Sequence, residues 1–206
     1  STDPGFPRDA AAWCNSTGNQ LISKETAGGK SVVVIEKGEP KSCNIVTSCE
    51  GKGKTFIMFS DDLDKALATF VLANGAAATG QKVTTFFTFW GLNVIKKLHK
   101  PNVEKDIFGK MFGMMLPSSS RKLKLSKMSM GGIGGKMMRY IMNRKGIDSL
   151  ESLRQQALEN GVEFIACQMS MDVMGVKQEE LLDEVTIGGV ATYMERADNA
   201  NINLFI

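Results

Sequence analysis

Hydrophobic and polar positions change rhythm along this chain, and the changes divide it into three stretches. In 31–37 the unbroken run Val32-Val33-Val34-Ile35 is β-branched throughout, which suits a strand and crowds a helix. With a second strand at 21–24, across the turn Ala27-Gly28-Gly29, it predicts a hairpin. A helix over 9–16 precedes the hairpin, stopped by Gly18. Residues 38–53, rich in Gly, Ser and charge, read as a linker. From Lys54 strands and helices alternate. A strand at 55–60 leads to a helix at 61–79 with Leu63, Ala66, Leu67, Phe70, Val71, Ala77 and Ala78 on one stripe and Gly80 behind it. A strand at 82–89 is followed by a helix from Trp90-Gly91 to about 98. Asp148 and Glu151 form a capping box for a helix running to 160. Strands at 162–166 and 184–187, a helix from Gly188-Gly189 to about 200, and a strand at 204–206 complete the pattern.

Strands separated by helices imply right-handed crossovers and a mostly parallel sheet covered on both faces. The predicted fold is therefore α/β: a three-layer α/β/α domain over 54–206, behind a small, incomplete α+β segment at 1–37. Such sheets bind ligands at the carboxyl ends of their strands. Ser60-Asp61-Asp62, Phe89-Trp90-Gly91 and Cys167-Gln168 all fall on that edge. Cys167 brings its own chemistry there. It stands where a strand hands over to a helix, whose unpaired N–H groups near Met169 and Ser170 and positive dipole end favour thiolate over thiol. The ordinary alternative for the same position is a small, packed apolar residue. Trp90, Gly91 and Met169 are predicted to line the site, from strand-end position alone.

Composition narrows the classes. Hydrophobic residues make up 43% and charged residues 23%, as in soluble globular proteins. No apolar run nears the roughly 18 residues that span a bilayer, so no stable membrane insertion is expected. The start, Ser-Thr-Asp-Pro-Gly, lacks a Met and a leader pattern and falls at what reads as a strand end; the chain is expected to be part of something longer. Cys14, Cys43, Cys49 and Cys167 form no secreted disulfide framework. His99 is the only histidine and there is no Cys-x-x-Cys pair, so no metal is expected and the thiols read as cytoplasmic. The cluster Gly131-Gly132-Ile133-Gly134-Gly135-Lys136 puts Met137 where a dinucleotide fingerprint needs Gly and a phosphate loop needs Ser or Thr. It reads as a hinge or lid, and no cofactor is expected.

Charge is unevenly spread. Between Ile107 and Ile147 lie nine of the 25 basic residues, none of the 22 acidic ones, and eight of the thirteen methionines. This stretch suits an acidic partner, an anionic small molecule or a membrane surface, or a solvated face behind a packed one. Nucleic acid is not expected, since a net charge of +3 with two Trp and two Tyr offers neither a broad basic field nor a stacking platform.

The segment from Asp62 to Gly80, the Phe89-Trp90-Gly91 turn, the run Cys167-Gln-Met-Ser-Met-Asp172 and the Gly188-Gly189 turn together resemble the DsrE/DsrF-like sulfur-relay proteins, over about residues 54–206. The resemblance implies an α/β/α fold, a homo-oligomer, and a sulfur-carrying cysteine at Cys167. Asp3-Pro-Gly-Phe6, Asp9, Trp13-Cys14 and Thr17-Gly18-Asn19 resemble the second half of a TusA-like domain. That family's sulfur-accepting Cys-Pro motif belongs to the first half, and this sequence lacks it, so TusA-type activity is not assigned. Cys14 reads as a buried helical residue.

The expected role is a sulfurtransferase or persulfide carrier in a cytoplasmic sulfur relay, whose partners are sulfur donor and acceptor proteins or small thiols. Two rivals stay open. One is a non-catalytic docking subunit acting through the basic, methionine-rich face. The other is a thiol peroxidase, which needs a resolving thiol such as Cys43 or Cys49.

Overall fold

Alternate residues of three neighbouring strands, β3 (Gly53–Met58), β4 (Val83–Phe87) and β5 (Glu163–Cys167), build one continuous apolar layer. Phe56, Met58, Val83, Phe87, Phe164 and Ala166 supply it and are buried. Against it lies helix α1 (Leu63–Ala78), whose Leu63, Ala66, Phe70 and Ala73 recur at helical spacing and are fully buried. Val71 and Ala78, placed on the buried stripe by periodicity, instead face outward. The stripe is narrower than the apolar content of the helix.

The computed structural model describes residues 10, 14, 19–28, 30–37, 53–99, 101, 103, 105 and 107–206. Two units separate, Ser1–Ser48 and Cys49–Ile206. In the first, β1 (Gln20–Ala27) and β2 (Lys30–Glu36) pair antiparallel as a hairpin. Ile22, Val32 and Val34 of that hairpin are exposed. Cys14 is helical and buried. Cys43, Cys49 and most of the expected linker fall outside the described residues.

In the second unit five strands run in the order β6-β5-β4-β3-β7, with β6 (Thr186–Gly188) and β7 (Ala200–Phe205) at the edges. All four pairings are parallel. The chain winds from β3 outward to β6, then returns across the sheet to place β7 beside β3. A right-handed return must cross the opposite face. Helices α1 and α4 (Leu150–Glu159) therefore cover one face, and α6 (Val190–Asp198) covers the other. This is the expected α/β/α arrangement, with one thin layer.

Between β4 and β5 the basic stretch holds two helices that the sequence pattern did not reveal, α2 (Ile107–Met115) and α3 (Ile133–Arg144). The glycine cluster is no free hinge. Gly131 and Gly132 take positive φ in the turn before α3, while a Cβ at Gly134 would fall 2.1 Å from the Met128 carbonyl oxygen. The expected helix after Trp90 is a 3-10 turn, Phe89–Ile95. The expected capping box is also replaced: Ser149, not Asp148, caps α4, its Oγ accepting from the Ser152 N–H at 3.1 Å. No described helix is long and apolar enough to cross a membrane.

Candidate functional site

β3, β4 and β5 are parallel neighbours, so the residues following Met58, Phe87 and Ala166 share one edge of the sheet. Asp61, Trp90 and Cys167 thus belong to a common rim, as their strand-end positions implied. The rim nevertheless has two sides, and the residues divide between them.

Cys167 closes β5 and is the N-cap of the short helix α5 (Gln168–Met174). It is 2% exposed and packs with Phe86, Ile165 and Tyr193 on the face under α6. The period of two explains this: Ile165 and Cys167 point one way, Phe164 and Ala166 the other. The thiol makes no capping hydrogen bond to the N–H groups that follow, so the expected contact with the helix start is absent. The hydroxyl of Ser170 is instead turned toward Thr88, 2.8 Å away, tying α5 to the end of β4.

The lid over the thiol is α6. Tyr193 and Ala197, four residues apart, press on the sheet, and the rings of Tyr193 and Phe86 lie 5.2 Å apart. One turn on, Arg196 donates through Nε and Nη2 to both carboxylate oxygens of Glu163 on β5, at 2.9 and 3.1 Å. Thr84 donates to the same carboxylate at 2.9 Å. The Arg196 hydrogen bonds, and after them that of Thr84, hold the Glu163 carboxyl below its usual range. Cys167 pairs in register with Gly188, just before α6 begins. A Cβ at Gly188 would lie 2.8 Å from the Ile165 Cγ2, so only glycine lets this corner close.

On the other side of the rim lies a cleft of about 630 Å³, walled by Asp61, Asp62, Trp90, Met114, Lys122 and Lys124 among others. Trp90 is 46% exposed and stacks on Phe89 at 5.8 Å. Phe59 touches both rings and Phe205 as well. Phe89 holds a φ of 48°, unusual for a bulky residue and a marker of strain at such edges. Burial pushes the Asp61 carboxyl above its usual range and the Asp62 charge adds to this, while the amide of Asn93, donating at 2.9 Å, opposes it. A second cleft, of about 450 Å³, lies between Leu63, Arg139 and Leu150. Cys167 lines neither.

Of the residues expected to line a site with Cys167, Trp90 walls the first cleft. Met169 is exposed beside Cys167. Gly91 is buried; a Cβ there would fall 1.9 Å from the Met58 carbonyl oxygen, and its N–H donates to the Phe59 carbonyl at 2.8 Å. Its glycine serves the close approach of two backbones. Among the described residues no cluster of three metal-ligating side chains occurs. Tyr193, Glu163 and Arg196 escaped the sequence reading. The spacing of Tyr193, Arg196 and Ala197 on one helix face was the available signal.

The family model of the DsrE/DsrF/DrsH-like family matches residues 51–205. The uncharacterized protein YrkE of Bacillus subtilis (strain 168) is 43% identical over 155 residues, which cover 75% of this chain and 97% of that protein. The sulfur carrier protein DsrE2 of Allochromatium vinosum is 38% identical over 161 residues, covering 76% of this chain and 99% of that protein. The crystal structure of the ychN protein from E. coli superposes with a TM-score of 0.45 at 11% identity, covering 75% of this chain and 99% of that one. By the extent of the family match and the identities to YrkE and DsrE2, the chain belongs to the DsrE/DsrF/DrsH-like family.

Proposed function

We propose that this protein is a sulfur carrier of a cytoplasmic relay, loading sulfane sulfur onto Cys167. The reading is carried by the 38% identity to a sulfur carrier protein over nearly that protein's whole length. The position of Cys167 at the end of β5, on the ligand-binding edge of the sheet, supports it. The Cys167 thiolate attacks the terminal sulfur of a donor persulfide, R–S–SH. The donor S–S bond breaks, a new one forms, and the donor leaves as R–S⁻, giving Cys167–S–SH. An acceptor thiolate repeats the exchange and restores Cys167, with no net oxidation.

Burial sets a condition on this chemistry, because a thiol enclosed in hydrocarbon is inert. Loading therefore requires α6 to lift from Phe86 and Ile165, and the lid is built lightly. It is a nine-residue helix held by the packing of Tyr193 and Ala197, a hydrogen bond between the Tyr193 and Thr55 hydroxyls at 3.3 Å, and an ion pair to β5 that is one-third exposed on each side. Local opening of such elements is drawn from the low end of a protein's stability range. Trp90 and Met169 would then meet the donor or acceptor at the rim, with Gly91 shaping the turn behind them.

The front unit fits the remnant of a TusA-like sandwich, 1–37, joined by a linker, 38–53, to the DsrE-like domain at 54–206. The exposed Ile22, Val32 and Val34 of its hairpin suit a sheet completed by further chain, and assembly as a homo-oligomer fits the sparsely covered second face. The buried thiol, together with the exposed methionines of the basic stretch, favours a non-catalytic docking subunit. Intact-mass analysis after incubation with polysulfide or a persulfidated donor separates the two. A carrier gains about 32 Da, lost in Cys167→Ala and kept in Cys14→Ala, whereas a docking subunit gains nothing.

A further inference from the structure

Helix α3 comes close to the domain's main chain at its first turn through two glycines. Gly134 and Gly135 are buried against the main chain at Met128 and Leu123. Met142 is buried and Met138 packs against the core beside them, but the other bulky apolar residues turn outward. Ile133, Met137, Tyr140 and Ile141 follow helical spacing along one outer stripe, and Met128 and Met130 extend it across the preceding turn; these six are between 39% and 71% exposed. A monomeric surface rarely leaves so many large apolar side chains contiguous without a use for them.

Cations edge this stripe. Lys136 lies alongside, Arg144 and Lys145 stand at its C-terminal end, and Lys124 and Lys127 precede the turn; all five are exposed. Among the described residues none of the five makes an ion pair with a carboxylate. No Asp or Glu occurs in 107–147; the carboxylates that approach the Lys124–Lys127 end come from elsewhere, Asp61 and Asp62 in the cleft with Lys124, and Asp64 bonded to Ser126.

We propose that this face docks on the surface of an anionic lipid bilayer. A second copy is the wrong occupant for it, because a two-fold interface brings the same patch onto itself and sets cations against cations. A bilayer meets both halves of the pattern together. Headgroup phosphates neutralise the bordering lysines and arginines while the stripe enters the acyl boundary. Tyr140 has the apolar ring and polar tip suited to that depth, and the unbranched methionines adapt to a fluid surface. Docking is peripheral, since no described helix has the length and apolarity to cross the membrane.

The test is co-sedimentation of the full chain with phosphatidylcholine vesicles, with and without about one-third phosphatidylglycerol. Binding is expected only to the anionic vesicles, weakened at least about tenfold by raising salt from roughly 50 to 500 mM. The triple variant Lys136→Glu/Arg144→Glu/Lys145→Glu should abolish it, and so should Met137→Glu/Ile141→Glu. Lys24→Glu, on β1, should not, and circular dichroism checks that each variant folds. Cys167→Ala should bind like the wild type, which keeps this result separate from the sulfur chemistry. Equal binding to neutral vesicles, or binding that survives either variant, overturns the proposal. Retention on soluble polyglutamate as firm as on vesicles overturns it in favour of an acidic protein. Self-association that the triple variant abolishes overturns it in favour of a second copy.

Discussion

Arg196 on α6 grips both carboxylate oxygens of Glu163 on β5, and Cys167 lies four residues beyond that glutamate on the same strand, beneath the same helix. The ion pair is thus a latch on the lid over the thiol. A partly exposed pair of this kind contributes roughly 0.5–1 kcal/mol. If the lid opens locally, Arg196→Gln should speed labelling of Cys167 by a thiol reagent by about two- to fivefold. Stopped-flow labelling in a variant lacking Cys14, Cys43 and Cys49 measures this. An unchanged rate would mean that Cys167 is reached by another route.

The same latch gives the fold a pH dependence with a definite sign. The Arg196 hydrogen bonds hold the Glu163 carboxyl below its ordinary value of 4.5. A depressed carboxyl contributes stability that is full above the unfolded value and is lost as pH falls through the folded one. Glu163→Gln should therefore lower Tm at pH 7, by a difference that shrinks as the pH falls below 4.5. Thermal melts of both proteins across that range supply the comparison.

Asp61 has the opposite sign. Burial raises its carboxyl above the ordinary 3.8, so its contribution is full below 3.8 and lost as pH rises through the folded value. Asp61→Asn keeps an acceptor for the Asn93 amide and removes the buried charge. It should raise Tm at pH 7, with the gain vanishing in acid. A variant less stable than wild type at neutral pH would show that the charge is wanted there, by a neighbour or a ligand of the Trp90 cleft.

Gly91→Ala should destabilise the domain by at least about 2–3 kcal/mol, because the added methyl meets a backbone carbonyl that no rotamer change can move. Urea denaturation tests this. Trp90→Ala, on the exposed side of the same turn, should cost far less.

Much of the architecture was legible because its signals are local. The apolar strand at 162–166 follows from its composition, the stripe of Leu63, Ala66 and Phe70 from a period, and parallel pairing from strands separated by helices. The rim position of Cys167 follows from the same logic. Its burial does not, because that depends on how α6 returns across the sheet, and the Glu163–Arg196 contact joins residues 33 apart. The helices of the basic stretch were hidden for a different reason. α3 carries large apolar residues on two faces, Met138 and Met142 inward and Ile133, Met137 and Ile141 outward, so no single apolar stripe marks its core side.

Sulfur on Cys167 is the claim on which the functional account rests, and peptide mapping tests it most directly. After incubation with a persulfidated donor and alkylation, trypsin releases Cys167 in 155–177, Cys14 in 9–24, and Cys43 with Cys49 in 42–52. The account predicts an added mass of about 32 Da on 155–177 alone, removable by an acceptor thiol. Sulfur found on either other peptide, or on none with any donor, would contradict it.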